Sequence, residues 1–327
     1  MAKTGKKAKV AENSSLMAIM LGNKKALVGV VIVGFFILLA LLGPLFVGDP
    51  TAFIGIPLSP PSGEHLFGLT GQGQDVLAQT VVGARTTLLV ALTVGVSTVG
   101  LGAFIGVAAG FYGGKVDGGL SLFINIFLVI PGLPLAIVLA AYLPSGPVTI
   151  ALVLILTGWA WNARVVRAQT LSLRGKEFVA AAIVGGEKTS WILVRELLPN
   201  MFSLLASQFI GATIYAIGAQ VGLEFLGLGD VSEVTWGTNL YWASNDQALL
   251  TGSWWTFVPT GLCVAMVGFG LAMINFAVDE FTNRRLSAER SWRRYLRGFG
   301  DKSLGSGFAT PVVRAKAATL DAPGGDP

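Results

Sequence analysis

Residues that usually carry chemistry are few in this chain, and what they cannot do is informative. His65 is the only histidine and Cys263 the only cysteine, so the pairings that hold a metal or activate a nucleophile are missing. Two stretches come near a phosphate-binding loop without making one. Gly113-Gly114-Lys115-Val116 lacks the upstream glycine and the hydroxyl residue after lysine. Gly186-Glu187-Lys188-Thr189 has an acid where the glycine before lysine belongs. The chain is therefore expected to be no enzyme, with no catalytic residue, no metal and no cofactor of its own.

The most specific stretch is built for contact rather than catalysis. It runs Arg174-Gly175-Lys176-Glu177-Phe178-Val179-Ala180-Ala181-Ala182-Ile183-Val184-Gly185-Gly186, and later Ile192 through Leu197-Leu198-Pro199-Asn200. The first part predicts a short amphipathic helix with Phe178, Ala181 and Ala182 on one side. Small alanines let another surface come close, and the Gly-Gly pair ends the helix in a tight turn. Such a helix either lies on the membrane surface or is a knob offered to a partner. Pro199 is expected to end the segment.

The elements that position this stretch follow from composition. Of 327 residues 53% are hydrophobic and only 13% charged, with a mean hydropathy of +0.69; a soluble domain carries roughly 25% charged residues. Six apolar runs contain no Asp, Glu, Lys or Arg: about 26–47, 86–110, 118–143, 147–163, 201–223 and 254–278. Most are long enough, at about 1.5 Å per residue, to cross a hydrocarbon core of about 30 Å as a helix. The fourth is short, and its helix is expected to run past Arg164. The first follows Lys3, Lys6, Lys7 and Lys9, but its apolar core is too long and Gly43-Pro44-Leu45-Phe46 too bulky for a cleaved signal peptide. The fold class is an all-α polytopic membrane protein with six transmembrane helices.

Charge sets the expected orientation. Lysine and arginine number six up to Lys25, six in 164–200 and nine in 279–327, but none in 48–84 or 224–253. The positive-inside rule then puts both termini and 164–200 in the cytoplasm of a multi-pass cell-membrane protein. The basic pI near 9.4 reflects this topology and attraction to anionic lipid, not nucleic acid. The expected organisation is a cytoplasmic segment 1–25, a six-helix domain 26–279 and a cytoplasmic tail 280–327. The basic stretch 284–297 would lie along the inner membrane surface, and the tail would be mostly disordered from about 298.

Gly102, Gly106 and Gly110 share one helical face and predict close helix packing. Pro131 and Pro134 should kink or break the third span. Polar residues at membrane depth include Asn125, Gln208, Gln220 and Asn275, suited to interhelical hydrogen bonds or to a solute path. The apolar runs offer no carboxylate, which weighs against a proton- or sodium-coupled carrier. The cation-free segments hold seven acids, among them Asp75, Glu224 and Asp230. They read as a soluble loop surface or as a negative face for a basic partner. Trp236, Trp242, Trp254 and Trp255 read as interfacial anchors, or in the case of Trp242 as a surface for stacking on a sugar.

The stretch 174–200 resembles the EAA loop of ABC-importer permeases: Ala180-Ala181-Ala182, Gly186 and Leu198-Pro199 occupy the motif positions. One departure is Ala180, which stands where the motif has glutamate; Glu177 matches a different position. The resemblance runs from about residue 15 to 286 and points to the dipeptide/oligopeptide subfamily, in particular its C-type subunit. Carrying it are His65-Leu66-Phe67-Gly68-Leu69-Thr70, Gly73-Gln74-Asp75-Val76-Leu77, Gly83-Ala84-Arg85, Ala109-Gly110-Phe111-Tyr112-Gly113-Gly114 with Asp117, Pro131-Gly132, Ala163-Arg164-Val165-Val166-Arg167, Phe225-Leu226-Gly227-Leu228-Gly229 and Trp236-Gly237.

That resemblance implies a type I ABC-importer permease fold and half of a translocation path for di- or oligopeptides that works by alternating access. It also implies a homologous second permease in a heterodimer, two cytoplasmic ATPase chains or domains that hold ATP and Mg, and an extracytoplasmic solute-binding protein. Glu177, Ala180, Ala181, Ala182, Gly186, Leu198 and Pro199 would contact the ATPase. Asp75, Glu224, Asp230, Trp236 and Trp242 would serve the binding protein or an outer gate, and Asn125, Gln208 and Gln220 the path. Leu122 and Asn125 stand where such permeases usually carry arginine and aspartate, and Gln220 where glutamate is common. A neutral solute such as an oligosaccharide therefore remains an alternative, with a gradient-driven carrier or channel behind it.

Overall fold

A computed structural model describes residues 24–282. The expectations for the terminal segment up to residue 23, the basic stretch 284–297 and the tail lie outside the described residues. Among those described the regular structure is helical, apart from one isolated antiparallel bridge between Leu69 and Asp75.

Helix α1 (Lys24–Leu42) follows the first apolar run and gives way to a 3₁₀ turn at Gly43-Pro44-Leu45. Helix α2 (Val76–Tyr112) starts ten residues before the second run. Its start is fixed by Asp75, whose Oδ1 accepts from the backbone N–H groups of Leu77 and Ala78 at 2.8 and 3.1 Å. Arg85 is thus inside a helix and not at its edge.

The third span is broken. Helix α3 (Gly114–Val129) and helix α4 (Gly132–Tyr142) meet at 78°. Ile130 is extended (φ −72°, ψ 126°), as steric conflict with a following proline demands, and Pro131 caps α4. Pro134 falls in the first turn of α4, where no helical N–H is needed, so only Pro131 makes the break.

Helix α5 (Pro147–Arg174) does run past Arg164, by ten residues. Helix α6 (Glu177–Val184) is the predicted short helix. A turn α7 (Thr189–Trp191), a π-helical stretch Ile192–Leu197 and helix α8 (Leu198–Phe225) then form one continuous 37-residue element. Pro199 therefore does not end its segment. It lacks the N–H for the carbonyl four residues back, and the ladder widens into a π turn just before it instead of stopping. Helices α9 (Trp236–Asn245) and α10 (Ala248–Thr251) lead to a 3₁₀ turn, Trp254–Thr256, and to α11 (Val258–Thr282).

Five of these elements are long and apolar enough to cross a membrane, six when the bent α3–α4 pair is taken as one span. The core joins Phe36 of α1, Leu88 and Val94 of α2, Leu154 of α5, Ile217 of α8 and Leu271 of α11. Helix α2 lies along α5 because Gly102, Gly106 and Gly110 all face it. A Cβ on Gly106 would sit 2.5 Å from the Ala163 carbonyl oxygen, and one on Gly110 would sit 2.7 Å from Thr170 Cβ.

The helices outrun the apolar runs, and this corrects one inference. The runs hold no carboxylate, yet α3 contains Asp117 and α8 contains Glu224. Both are paired inside the protein, so their presence does not require ion coupling.

Candidate functional site

Function-bearing features gather at the two ends of α2, a helix about 55 Å long at 37 residues. At its C-terminal end, α6 is docked by one side chain. Val179 is fully buried, in a cluster with Ile192 and Leu197 and against Phe111 and Leu173. Ala182 flanks this cluster. The buried face is thus centred on Val179, which the alanine pattern obscured, and Phe178 is exposed. Glu177, Ala180 and Ala181 are exposed as well, and Val184 is 89% exposed.

The end of α6 is a complete Schellman turn. The Gly186 N–H donates to Ile183 O and the Glu187 N–H to Ala182 O, each at 3.1 Å. Gly186 takes φ +77°, which a side chain rarely adopts, and the space where its Cβ would project is open. The result is an exposed small-residue knob with a fixed end. It is joined through the π stretch to α8, with Leu198 half-buried and Pro199 exposed at the junction.

Beside this end lies an ion pair that spacing along the chain did not reveal. Arg167 donates from Nε to Asp117 Oδ1 at 2.5 Å and from Nη2 to Asp117 Oδ2 at 2.7 Å. Ser121 Oγ donates to the same Oδ1 at 2.9 Å. The fork ties α3 to α5 across 50 residues of sequence. A double-mutant cycle on Asp117→Ala and Arg167→Ala, read by thermal unfolding in detergent, is expected to give a coupling of about 1–3 kcal/mol. A coupling near zero would mean that the pair does not hold the broken span.

The other end of α2 joins the two cation-free segments. Trp255 Nε1 donates to Leu69 O at 3.2 Å, and Trp236 Nε1 donates to Thr80 O at 2.9 Å. Trp236 is fully buried, with its ring edge-on to Phe36 at 5.8 Å and its backbone N–H donating to Thr87 Oγ1 at 3.1 Å. It is a core side chain and neither a membrane anchor nor an exposed gate residue. The large ring fills the gap between α1, α2 and α9, and its polar edge is satisfied there.

Glu224 is likewise interior, at 1% exposure. It accepts from Thr235 Oγ1 at 2.5 Å and Gln220 Nε2 at 3.0 Å, and the Gly237 N–H also points at it. Its carboxylate thus closes onto the N-terminus of α9, whose first turn is a Thr235/Thr238 capping box. A buried carboxylate with these donors is clamped and not free to face a partner. Gln220 is fully buried in the same clasp, so it faces the protein interior and not a solute path.

The remaining predicted residues disperse. Asp75 caps α2, and its other oxygen lies 3.1 Å from His65 Nδ1. Asp230 is half-buried and accepts from Ser232 Oγ and the Ser232 N–H; these bonds hold its carboxyl below the usual carboxylate range. Asn125 is exposed on α3 near exposed Leu122. Gln208 has both amide atoms buried without a partner among the described residues. Trp242 is half-buried, with Nε1 donating to Val231 O at 2.9 Å, and it lines a cleft of about 500 Å³.

The described residues form a helical bundle with a broken span and an exposed helix-turn at one end. The chain belongs to the family of binding-protein-dependent transport system inner membrane components, whose model matches residues 102–284. It is 34% identical over 255 residues to the oligopeptide transport system permease protein OppC of Bacillus subtilis, covering 76% of this chain and 82% of that protein. It is 33% identical over 271 residues to the dipeptide transport system permease protein DppC of the same organism, covering 81% and 83%. A putative peptide transport system permease protein of Brucella suis is 30% identical over 267 residues, covering 80% and 88%. The chain is thus a permease subunit, not an ATPase, and integral to the membrane.

Proposed function

We propose that this chain forms half of the translocation path of an ATP-driven importer of di- and oligopeptides. Its partners would be a homologous second permease, two cytoplasmic ATPase chains or domains carrying ATP and Mg, and an extracytoplasmic solute-binding protein. Both termini and the 164–200 segment would face the cytoplasm, a reading supported by the distribution of lysine and arginine. The observation that carries the reading is α6. Its exposed Ala180-Ala181 face and Gly186 turn sit in open space, while Val179 locks it to the bundle and the π stretch links it directly to α8.

Closure of the ATPases would move α6 as a rigid knob and tilt α8 with it, alternately opening the path to each side. Glu177, Ala181, Ala182 and Gly186 form the contact. Ala180 replaces a polar contact with a small apolar one. Leu198 and Pro199 transmit the movement at the π turn. The two named relatives from Bacillus support peptides as cargo. A neutral solute such as an oligosaccharide is the second reading, favoured by the uncharged face around Leu122 and Asn125.

The test is uptake into proteoliposomes holding the purified complex. Labelled tripeptide should accumulate only with ATP and binding protein together. Accumulation driven by an ion gradient without ATP would overturn the importer reading, and ATP-driven uptake of oligosaccharide alone would replace the cargo.

A further inference from the structure

The cleft of about 500 Å³ between the two cation-free segments has a lining that fits one chemistry. Its size is that of a small-molecule site. One wall is Phe53, Gln72 and Gln79 from the first segment and from α2; the other is Glu233, Asn239 and Trp242. Asn239 is only 7% exposed, yet its Nδ2 has no hydrogen-bond partner among the described residues. A buried amide donor left open in this way costs stability unless something completes it. The Gln72 side chain also makes no hydrogen bond among the described residues.

The walls are fixed. Gln79 is tied to Pro50 O and Gln74, and Trp242 to Val231 O. Glu233 supplies the only charge on the lining, and its carboxylate is exposed. The segments 48–84 and 224–253 contain no lysine or arginine, so an anion would find no counter-charge here.

We propose that this cleft is an outer subsite for the cargo, taking a short peptide by its amino-terminal end. The Glu233 carboxylate holds the terminal ammonium. Asn239 and Gln72 bond the first peptide groups, and Trp242 and Phe53 flank the side chain. The inference rests on the peptide-importer reading, since it assumes that these segments face the compartment from which cargo arrives. It adds a recognition step in the permease itself, specific for a free and positively charged amino terminus.

The experiment uses the full-length protein in its purified complex, without binding protein, and a diazirine-bearing tripeptide with a free amino terminus. Cross-links are mapped by mass spectrometry. Labelling should concentrate on residues 51–53 and 231–242 and be competed by unlabelled tripeptide. It should fall about tenfold or more when the amino terminus is acetylated, and likewise in Glu233→Gln, whose exposed position leaves the fold intact. Asn239→Leu should weaken labelling while Glu233→Gln keeps the wild-type melting temperature. Equal labelling by acetylated peptide, labelling elsewhere only, or competition by a neutral oligosaccharide but not by peptide would each overturn the subsite. Uptake by the same complex, reconstituted with ATP and binding protein, separates the two ideas: normal peptide uptake without cleft labelling removes the subsite and leaves the importer standing.

Discussion

Gly186→Trp should abolish ATP-driven uptake while the protein inserts and folds normally. The left-handed backbone at Gly186 (φ +77°) costs a side chain about 1–2 kcal/mol, well below a typical folding stability. Beyond that the fold meets no obstacle, because the Cβ would project into open space. A bulky ring there covers the surface that α6 presents beside Ala181, so its effect falls on what docks and not on the bundle. Gly186→Asn is the control, since asparagine tolerates this conformation and adds little bulk; it should keep most of the uptake. Wild-type uptake by the tryptophan variant, measured in proteoliposomes at equal protein content, would remove α6 from the coupling path.

Trp236→Ala carries the largest expected loss of stability, about 3–5 kcal/mol. The substitution empties a fully buried site, removes the edge-on contact with Phe36 and strips the bond to Thr80 O. It also loosens the start of α9, onto which Glu224 is clamped. Thermal unfolding of the detergent-solubilised complex measures this. Trp254→Ala is the matched control, because that ring is 53% exposed and its loss should change stability by less than about 0.5 kcal/mol. Equal effects of the two substitutions would show that Trp236 is an interfacial side chain after all.

These two residues mark what was legible in the sequence. Gly186 was readable because helix-end chemistry is local: a Gly-Gly pair after an alanine-rich helix specifies its turn within five residues. Pro131 was readable for the same reason, and so were the six spans, because lipid imposes a long apolar signal. Trp236 and Glu224 were not. A tryptophan near a span end looks the same whether it anchors in the interface or fills the core, and only the approach of α1 and α2 decides. Glu224 looks like a surface acid in the sequence because, Gln220 apart, its donors lie at the capping box of another element, α9. The Asp117–Arg167 fork joins positions 50 residues apart, beyond any local pattern, although both lay in stretches already singled out. Helix α2 began ten residues early for a different reason. Counting apolar residues stopped at Arg85, whereas the cap at Asp75 was a local signal that apolar counting does not use.

The polar side chains show a further limit. Of the amides suited either to hydrogen bonds within the bundle or to a path, Gln220 is the inner partner of Glu224, whereas Asn125 is exposed on the broken span. Spacing puts an amide on a helix face but does not say which neighbour that face meets. Burial supplies this, and it divides residues that hold the bundle from those left exposed.

The most direct test of the whole account is purification of the tagged chain from its native membrane in mild detergent, with mass spectrometry of everything that accompanies it. The account predicts a second, homologous permease and an ATPase in stoichiometric amounts, with a solute-binding protein and retained peptide. Recovery of the chain alone, or as a homo-oligomer without any ATPase, would contradict it.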